Sequence, residues 1–88
     1  MYKVLLRPKA AKALQKIDNK NQERIKQALR ELTLDPYKAG EQLNPAQFWK
    51  IRAGDYRAIY EIHQDQNQII IIFIGHRKNV YDDFSKIV

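Results

Sequence analysis

Cysteine is absent from the 88 residues, which excludes disulfides, thiolate metal ligands and thiol nucleophiles together. Serine occurs once, as Ser85, with no base beside it in the sequence, so a serine nucleophile has no support. Three glycines leave no Gly-rich phosphate loop of either common spacing, and the His, Asp and Glu positions lack metal-ligand spacing. No metal and no cofactor are expected. The longest apolar run, Ile69 to Gly75, falls far short of the ~20 residues that a membrane span needs. Residues 1–7 alternate like a strand and carry no signal-peptide cleavage pattern, so a cytoplasmic protein with no membrane contact is expected. Acidic residues are outnumbered: ten Asp and Glu stand against sixteen Lys and Arg, a net charge of +6. On so short a chain that excess leaves a positive surface field suited to a polyanionic partner. The length admits one small core, so residues 1–88 are expected to form a single domain with its chemistry on the surface.

What is present falls into two halves. Tyr2, Val4 and Leu6 alternate with Lys3, Leu5 and Arg7, the pattern of a short first strand. Pro8 suits a helix start, and Ala10, Ala13, Leu14 and Ile17 then lie on one stripe with Lys9, Lys12 and Lys16 opposite. Such a lysine series is usually a solvated face, though it could extend a nucleic-acid footprint. Asp18-Asn19-Lys20-Asn21 interrupts the pattern and offers a cap for a second helix. Ile25, Ala28, Leu29 and Leu32 form the buried stripe of that helix, which ends at Asp35-Pro36. Tyr37 to Gln47 reads as loop. From Phe48 the period drops to 2, Gly54-Asp55 marks a hairpin turn, and Gln64 to Asn67 marks a second turn. Ile69 to Ile74 reads as a strand covered on both faces. Val80 to Val88 has room for a short terminal helix through Tyr81, Phe84 and Ile87. The expected fold is α+β: two antiparallel N-terminal helices on a small, mostly antiparallel sheet, in the order β-α-α-β-β-β.

The hairpin is the informative segment. With Gly54-Asp55 as a two-residue loop, Ala53 pairs with Tyr56, Arg52 with Arg57, Ile51 with Ala58, Lys50 with Ile59 and Trp49 with Tyr60. One face then carries Trp49, Ile51, Ala53, Tyr56, Ala58 and Tyr60, a credible core. The other gathers Lys50, Arg52 and Arg57. A three-residue loop would change the parity and bring Arg57 into the core, which the patterning rejects. Two arginines directly opposite repel by about 0.2–1 kcal/mol relative to a neutral pair. Folding gives no reason to collect three cations this way, beyond a solvated face relieved by Glu61 or Asp55. A bound phosphate does, because guanidinium forks donate paired hydrogen bonds to its oxygens. Arg77 follows the last strand; if that strand lies beside the second or third in the sheet, Arg77 emerges at an edge of the same surface, and otherwise it reads as a solvated loop arginine. His63 reads as an exposed spectator, and His76 as a weak acid–base candidate.

Trp49 to Tyr60 (Trp-Lys-Ile-Arg-Ala-Gly-Asp-Tyr-Arg-Ala-Ile-Tyr), followed by Ile74-Gly75-His76-Arg77 and Val80-Tyr81, resembles the RelE branch of the RelE/ParE toxin superfamily. The upstream strand, the helical pair and Asp35-Pro36 fit too, so the resemblance spans nearly the whole chain. It implies a RelE-like toxin of a type II toxin–antitoxin system: an endoribonuclease that enters the ribosomal A site, cleaves the messenger and halts translation. It implies a RelB-like antitoxin as partner, with an acidic segment over the basic face, alongside the ribosome and messenger RNA.

By position, Lys50, Arg52, Arg57, Arg77 and Tyr81 match the family's active-site positions. The resemblance assigns Arg57 and Arg77 to the phosphoryl oxygens and Tyr81 to a base. Lys50, its pKa lowered by two neighbouring arginines, is the expected proton acceptor. Better-known members carry lysine where Arg52 stands, and arginine stays protonated. Hence either Lys50 is the base, or His76, Tyr81 or the ribosome is. A ParE-like gyrase poison and an inactive binding relative are the alternative functions.

Overall fold

The computed structural model describes residues 1–85. Its elements are β1 (Lys3–Leu6), α1 (Pro8–Gln15), α2 (Asn19–Leu34), α3 (Pro36–Ala39), β2 (Glu41–Gln42), β3 (Phe48–Ala53), β4 (Tyr56–His63), β5 (Gln68–His76) and α4 (Val80–Ser85). The five strands form one sheet in the order β1-β5-β4-β3-β2. Only the β1–β5 pair is parallel.

Local signals set the helix ends. Pro8 stands in the first turn of α1, where a missing N–H costs nothing. Asp18 caps α2, its carboxylate accepting from the Asn21 backbone N–H at 3.3 Å and the Asn21 side-chain amide at 2.8 Å. The Gln22 side-chain amide donates to the Leu14 and Ile17 carbonyls, each at 2.9 Å, which ties the end of α1 to the start of α2. Helix α1 stops at Gln15, so Ile17 reaches the core from the turn rather than from the helical stripe.

The helices cover one face of the sheet. Ala10, Ile25, Ala28, Leu29 and Leu32 meet Ile51, Ala53, Ala58, Tyr60, Ile69, Ile71 and Ile74 in the main core. The opposite face carries a smaller core of Phe48, Ile59, Phe73, Val80 and Phe84 beneath α4. A bulge in β5 serves both. Ile59 pairs with Phe73 but Tyr60 with Ile71, so Ile72 is an extra residue that shifts the alternation. Ile71 and Ile74 therefore both face the helices, three residues apart, while Phe73 faces α4. Helix α4 forms where expected, but it buries Val80 with Phe84 and leaves Tyr81 exposed; Ile87 lies outside the described residues.

The stretch from Tyr37 to Gln47 is not the plain loop expected from its composition. Asp35 ends α2 and caps α3, its side chain accepting from the Tyr37 and Lys38 N–H groups at 3.1 and 3.2 Å, with Pro36 in the first turn. The dipeptide is both a stop and a start. Beyond it, Glu41 and Gln42 pair with Lys50 and Trp49 as the edge strand β2.

A buried tyrosine clamps this segment down. The Tyr60 hydroxyl, at zero exposure, donates to the Pro36 carbonyl at 2.7 Å. Gly40 packs so close that a Cβ there would strike the Tyr60 hydroxyl and come within 2.6 Å of the Lys50 carbonyl. Burial pushes the Tyr60 phenol far above its ordinary pKa, with Asp35 adding to the effect.

Tyr60→Phe orphans the Pro36 carbonyl and should cost about 1–3 kcal/mol in urea unfolding at neutral pH. The unfolded phenol ionises near pH 10 and the folded one only above it, so this contribution is present below pH 10 and declines as pH rises. The wild-type advantage over Tyr60→Phe should therefore shrink from pH 9 to 11; a constant difference refutes it.

Candidate functional site

The hairpin adopts the expected register, with Arg52 opposite Arg57, Lys50 opposite Ile59 and Ala53 opposite Tyr56. Gly54 has φ +63 and Asp55 stays at negative φ, the order of a type II′ turn with glycine first. That turn fixes the parity. Ile51, Ala53, Ala58 and Tyr60 go into the main core, and Lys50, Arg52 and Arg57 line up on the other face.

Each cation is held differently. Arg57 folds its Nη1 back onto the turn, donating to the Gly54 carbonyl at 2.9 Å and the Tyr56 carbonyl at 2.8 Å. Its Nε and Nη2 have no protein acceptor among the described residues, which leaves donors for a ligand. Arg77 extends the ladder past β5: its backbone N–H donates to the Asp55 carbonyl at 2.7 Å, and its Nε lies 3.8 Å from the Asp55 carboxylate. Since Arg57 pairs with Gly75, one further step of alternation puts Arg77 on the face of Arg57. Arg52 is exposed and makes no ion pair among the described residues.

Lys50 is the most constrained of the set, its side chain 26% exposed. The Nζ lies 3.3 Å from Glu41 and 5.4 Å from the centre of the Tyr81 ring, within cation–π range. The Tyr81 hydroxyl is the chief influence holding its pKa above the ordinary lysine value; Glu41 adds to this, and partial burial works against it. The expectation of a lowered pKa is thus overturned. The neighbouring arginines do not set the charge of Lys50; a phenol and a carboxylate in contact with it do, and Lys50 is a firm ammonium.

Two further corrections concern the surroundings. Glu61 does not relieve the cluster, for its carboxylate lies 3.4 Å from His63. Glu41, which the alternation did not single out, takes that part; the cap at Asp35-Pro36 was the signal that a structured segment would bring it there. His76 stands on the helix side, pairing with Tyr56 and meeting its ring edge-on at 5.5 Å, with Nδ1 accepting from the Lys78 N–H at 3.2 Å. It is excluded from the basic face. Lys50, Arg52, Arg57, Arg77 and Tyr81 thus fall on one side of the sheet. Among the described residues no group of His, Asp or Glu could hold a metal ion, and no helix is long and apolar enough to cross a membrane.

Comparison with known proteins covers the same stretch. The family model described as the ParE toxin of type II toxin–antitoxin systems matches residues 4–81. The chain belongs to that toxin family. Within the RelE/ParE superfamily the fold of this toxin is RelE-like. The isolated Escherichia coli RelE toxin is 23% identical, with a TM-score of 0.78 over 98% of this chain and 97% of its own. A RelBE toxin–antitoxin complex from Mycobacterium tuberculosis is 24% identical, with a TM-score of 0.79 over 86% of this chain and 98% of the other. A YoeB/ParE toxin from Agrobacterium tumefaciens is 18% identical, with a TM-score of 0.72 over 84% and 96%. At these identities the likeness is one of fold. No curated protein sequence gave a match.

If Tyr81 and Glu41 hold the Lys50 proton, Tyr81→Phe and Glu41→Gln should each lower the Lys50 pKa. Titration of the Lys50 13Cε resonance measures this, with Tyr81→Phe giving the larger shift. An unchanged midpoint in both variants would show that neither neighbour controls the charge.

Proposed function

We propose that this toxin is a ribosome-dependent endoribonuclease that cleaves messenger RNA in the A site and so arrests translation. The observation that carries the reading is the row Lys50–Arg52–Arg57, with Arg77 at one end and Tyr81 at the other. It gathers four cations on one face, against the two carboxylates of Glu41 and Asp55. The row suits a reaction that builds negative charge on phosphoryl oxygens.

In the reaction, a ribose 2′-oxygen attacks the adjacent phosphorus and the bond to the 5′-oxygen breaks. A cyclic phosphate and a free 5′-hydroxyl result; one proton leaves the 2′-hydroxyl and one is delivered to the 5′-oxygen. Arg57 and Arg77 serve the phosphoryl oxygens. Lys50, fully protonated, contributes charge and is suited to give the proton to the leaving oxygen. Neither it nor Arg52 can take up the 2′ proton. The Glu41 carboxylate, 3.3 Å from Lys50 and largely open to solvent, is the acceptor this reading favours. Tyr81, 39% exposed above the row, offers a ring on which a base can stack. An antitoxin partner is part of the proposal, supported by RelE relatives solved as complexes with RelB, such as that from Pyrococcus horikoshii.

The second reading is a gyrase poison. It is favoured by the family model, which describes ParE toxins. It predicts DNA breaks and an SOS response with messenger left whole.

On ribosomes programmed with a defined messenger, wild type should give A-site cuts mapped by primer extension. Arg57→Ala or Arg77→Ala should reduce the rate by about 10²–10³ with the fold retained, the effect of losing one oxyanion donor. Glu41→Gln should slow cleavage by about 10²–10⁴ with ribosome binding retained. Folded wild-type protein that leaves the messenger intact defeats the nuclease reading.

A further inference from the structure

The edge of β3 beside the basic row is open, and the reason lies in the chain that should have covered it. Strand β2 pairs with β3 only through Glu41–Lys50 and Gln42–Trp49. Were it two residues longer toward its N-terminus, Ala39 would stand opposite Arg52. Ala39 instead closes the turn of α3 and gives its N–H to the Asp35 carbonyl at 3.0 Å. In an antiparallel ladder with a two-residue turn, Ala53–Tyr56 and Ile51–Ala58 are the hydrogen-bonded pairs, so Arg52 turns its N–H and C=O away from β4. Among the described residues neither group has a backbone partner.

At this edge lies a cavity of about 240 Å³ bounded by Lys38, Ala39, Gly40 and Glu41 on one side and Lys50, Ile51 and Arg52 on the other. Its carboxylate is already paired with Lys50. Lys38 and Arg52, both exposed, have no ion-pair partner among the described residues and leave the cavity positive. The Tyr60–Pro36 hydrogen bond and the tight seat of Gly40 hold its far wall in place.

We propose that this cavity is a binding subsite for the backbone phosphate of a nucleotide flanking the scissile linkage, held by the Lys38 ammonium, the Arg52 guanidinium and the Arg52 N–H. The inference rests on the reading of the basic face as an RNA site and extends it around the sheet edge. Arg52 belongs to both, standing about 6.6 Å along the strand from Lys50 on the same face, so one extended strand passes from the row into the cavity. A second cavity on the far side of Arg52 is lined by Glu23 and Glu31 as well as Arg24 and is not positive, so the track turns toward Lys38.

The test is binding, separate from cleavage. A short single-stranded RNA with 2′-O-methyl sugars at every position is titrated into the folded toxin, followed by fluorescence anisotropy at several salt concentrations. Removing one phosphate contact from a single strand should flatten the slope of log K against log salt by about 0.7. Lys38→Gln, an exposed change, should show that loss, while Lys16→Gln at the end of α1 should match wild type. The Arg52 amide should shift in 15N-HSQC spectra on addition of the same oligonucleotide. A slope unchanged in Lys38→Gln, or one reduced equally in Lys16→Gln, overturns the subsite. So does a Lys38→Gln variant that binds RNA normally but loses affinity for an acidic peptide. Lys38-dependent RNA binding in a protein that leaves ribosomal messenger uncut would sink the nuclease reading and leave the subsite standing.

Discussion

Everything on the functional face follows from the parity of one hairpin. The two-residue turn at Gly54-Asp55, made possible by a residue at φ +63 that only glycine adopts without strain, decides which residues of β3 and β4 look inward. One more residue in the loop would send Arg57 into the main core and lift Ile51 or Ala58 out of it. Burial of Ile51, Ala53, Ala58 and Tyr60 to a few per cent exposure or less opposes that slip far more strongly than repulsion between Arg52 and Arg57 favours it. The main core thus secures an electrostatically unfavourable row on its reverse side. Charge clustering at the site and apolar packing under the helices are two consequences of one register.

The row is tuned by segments distant in sequence. Glu41 arrives from the Asp35-Pro36 side of the chain and Tyr81 from the last helix, and both act on Lys50. Without them Lys50 would be one more solvated lysine. With them it is a fixed ammonium between a carboxylate and a phenol. The anchoring of Glu41 runs through Tyr60, whose ring belongs to the main core and whose hydroxyl holds the chain at Pro36. A single buried side chain therefore links the packed interior to the placement of a surface charge.

Short-range pattern made the hairpin, the two long helices and the double-sided burial of β5 legible, because each depends on residues within one or two turns or strand periods. The face shared by Lys50, Arg52 and Arg57 followed from alternation, the edge place of Arg77 from its position after the last strand, and the membership of Tyr81 from resemblance. What stayed hidden depends on tertiary contact. Helix α3 and strand β2 carry little pattern of their own, and their cap was read only as the end of α2. The bulge at Ile72 is invisible in an all-apolar run, where either face accepts any residue. The charge of Lys50 is set not by the arginines that share its face of the hairpin but by groups that reach it from elsewhere in the chain. His76 was open to either face until the bulge settled the alternation of β5.

The parallel pair of β1 with β5 has a consequence in time. Lys3–Leu6 bonds to Gln68–Ile71, so the first strand leaves the ribosome with no partner for roughly sixty residues. At ~5–20 residues per second that is a wait of about 3–12 s. Throughout it β5 is missing, and β4, which emerges only near the end of the wait, has a bare edge until β5 follows it. High contact order of this kind slows folding, and the exposed edge offers a docking line for any extended segment that meets the newborn chain first.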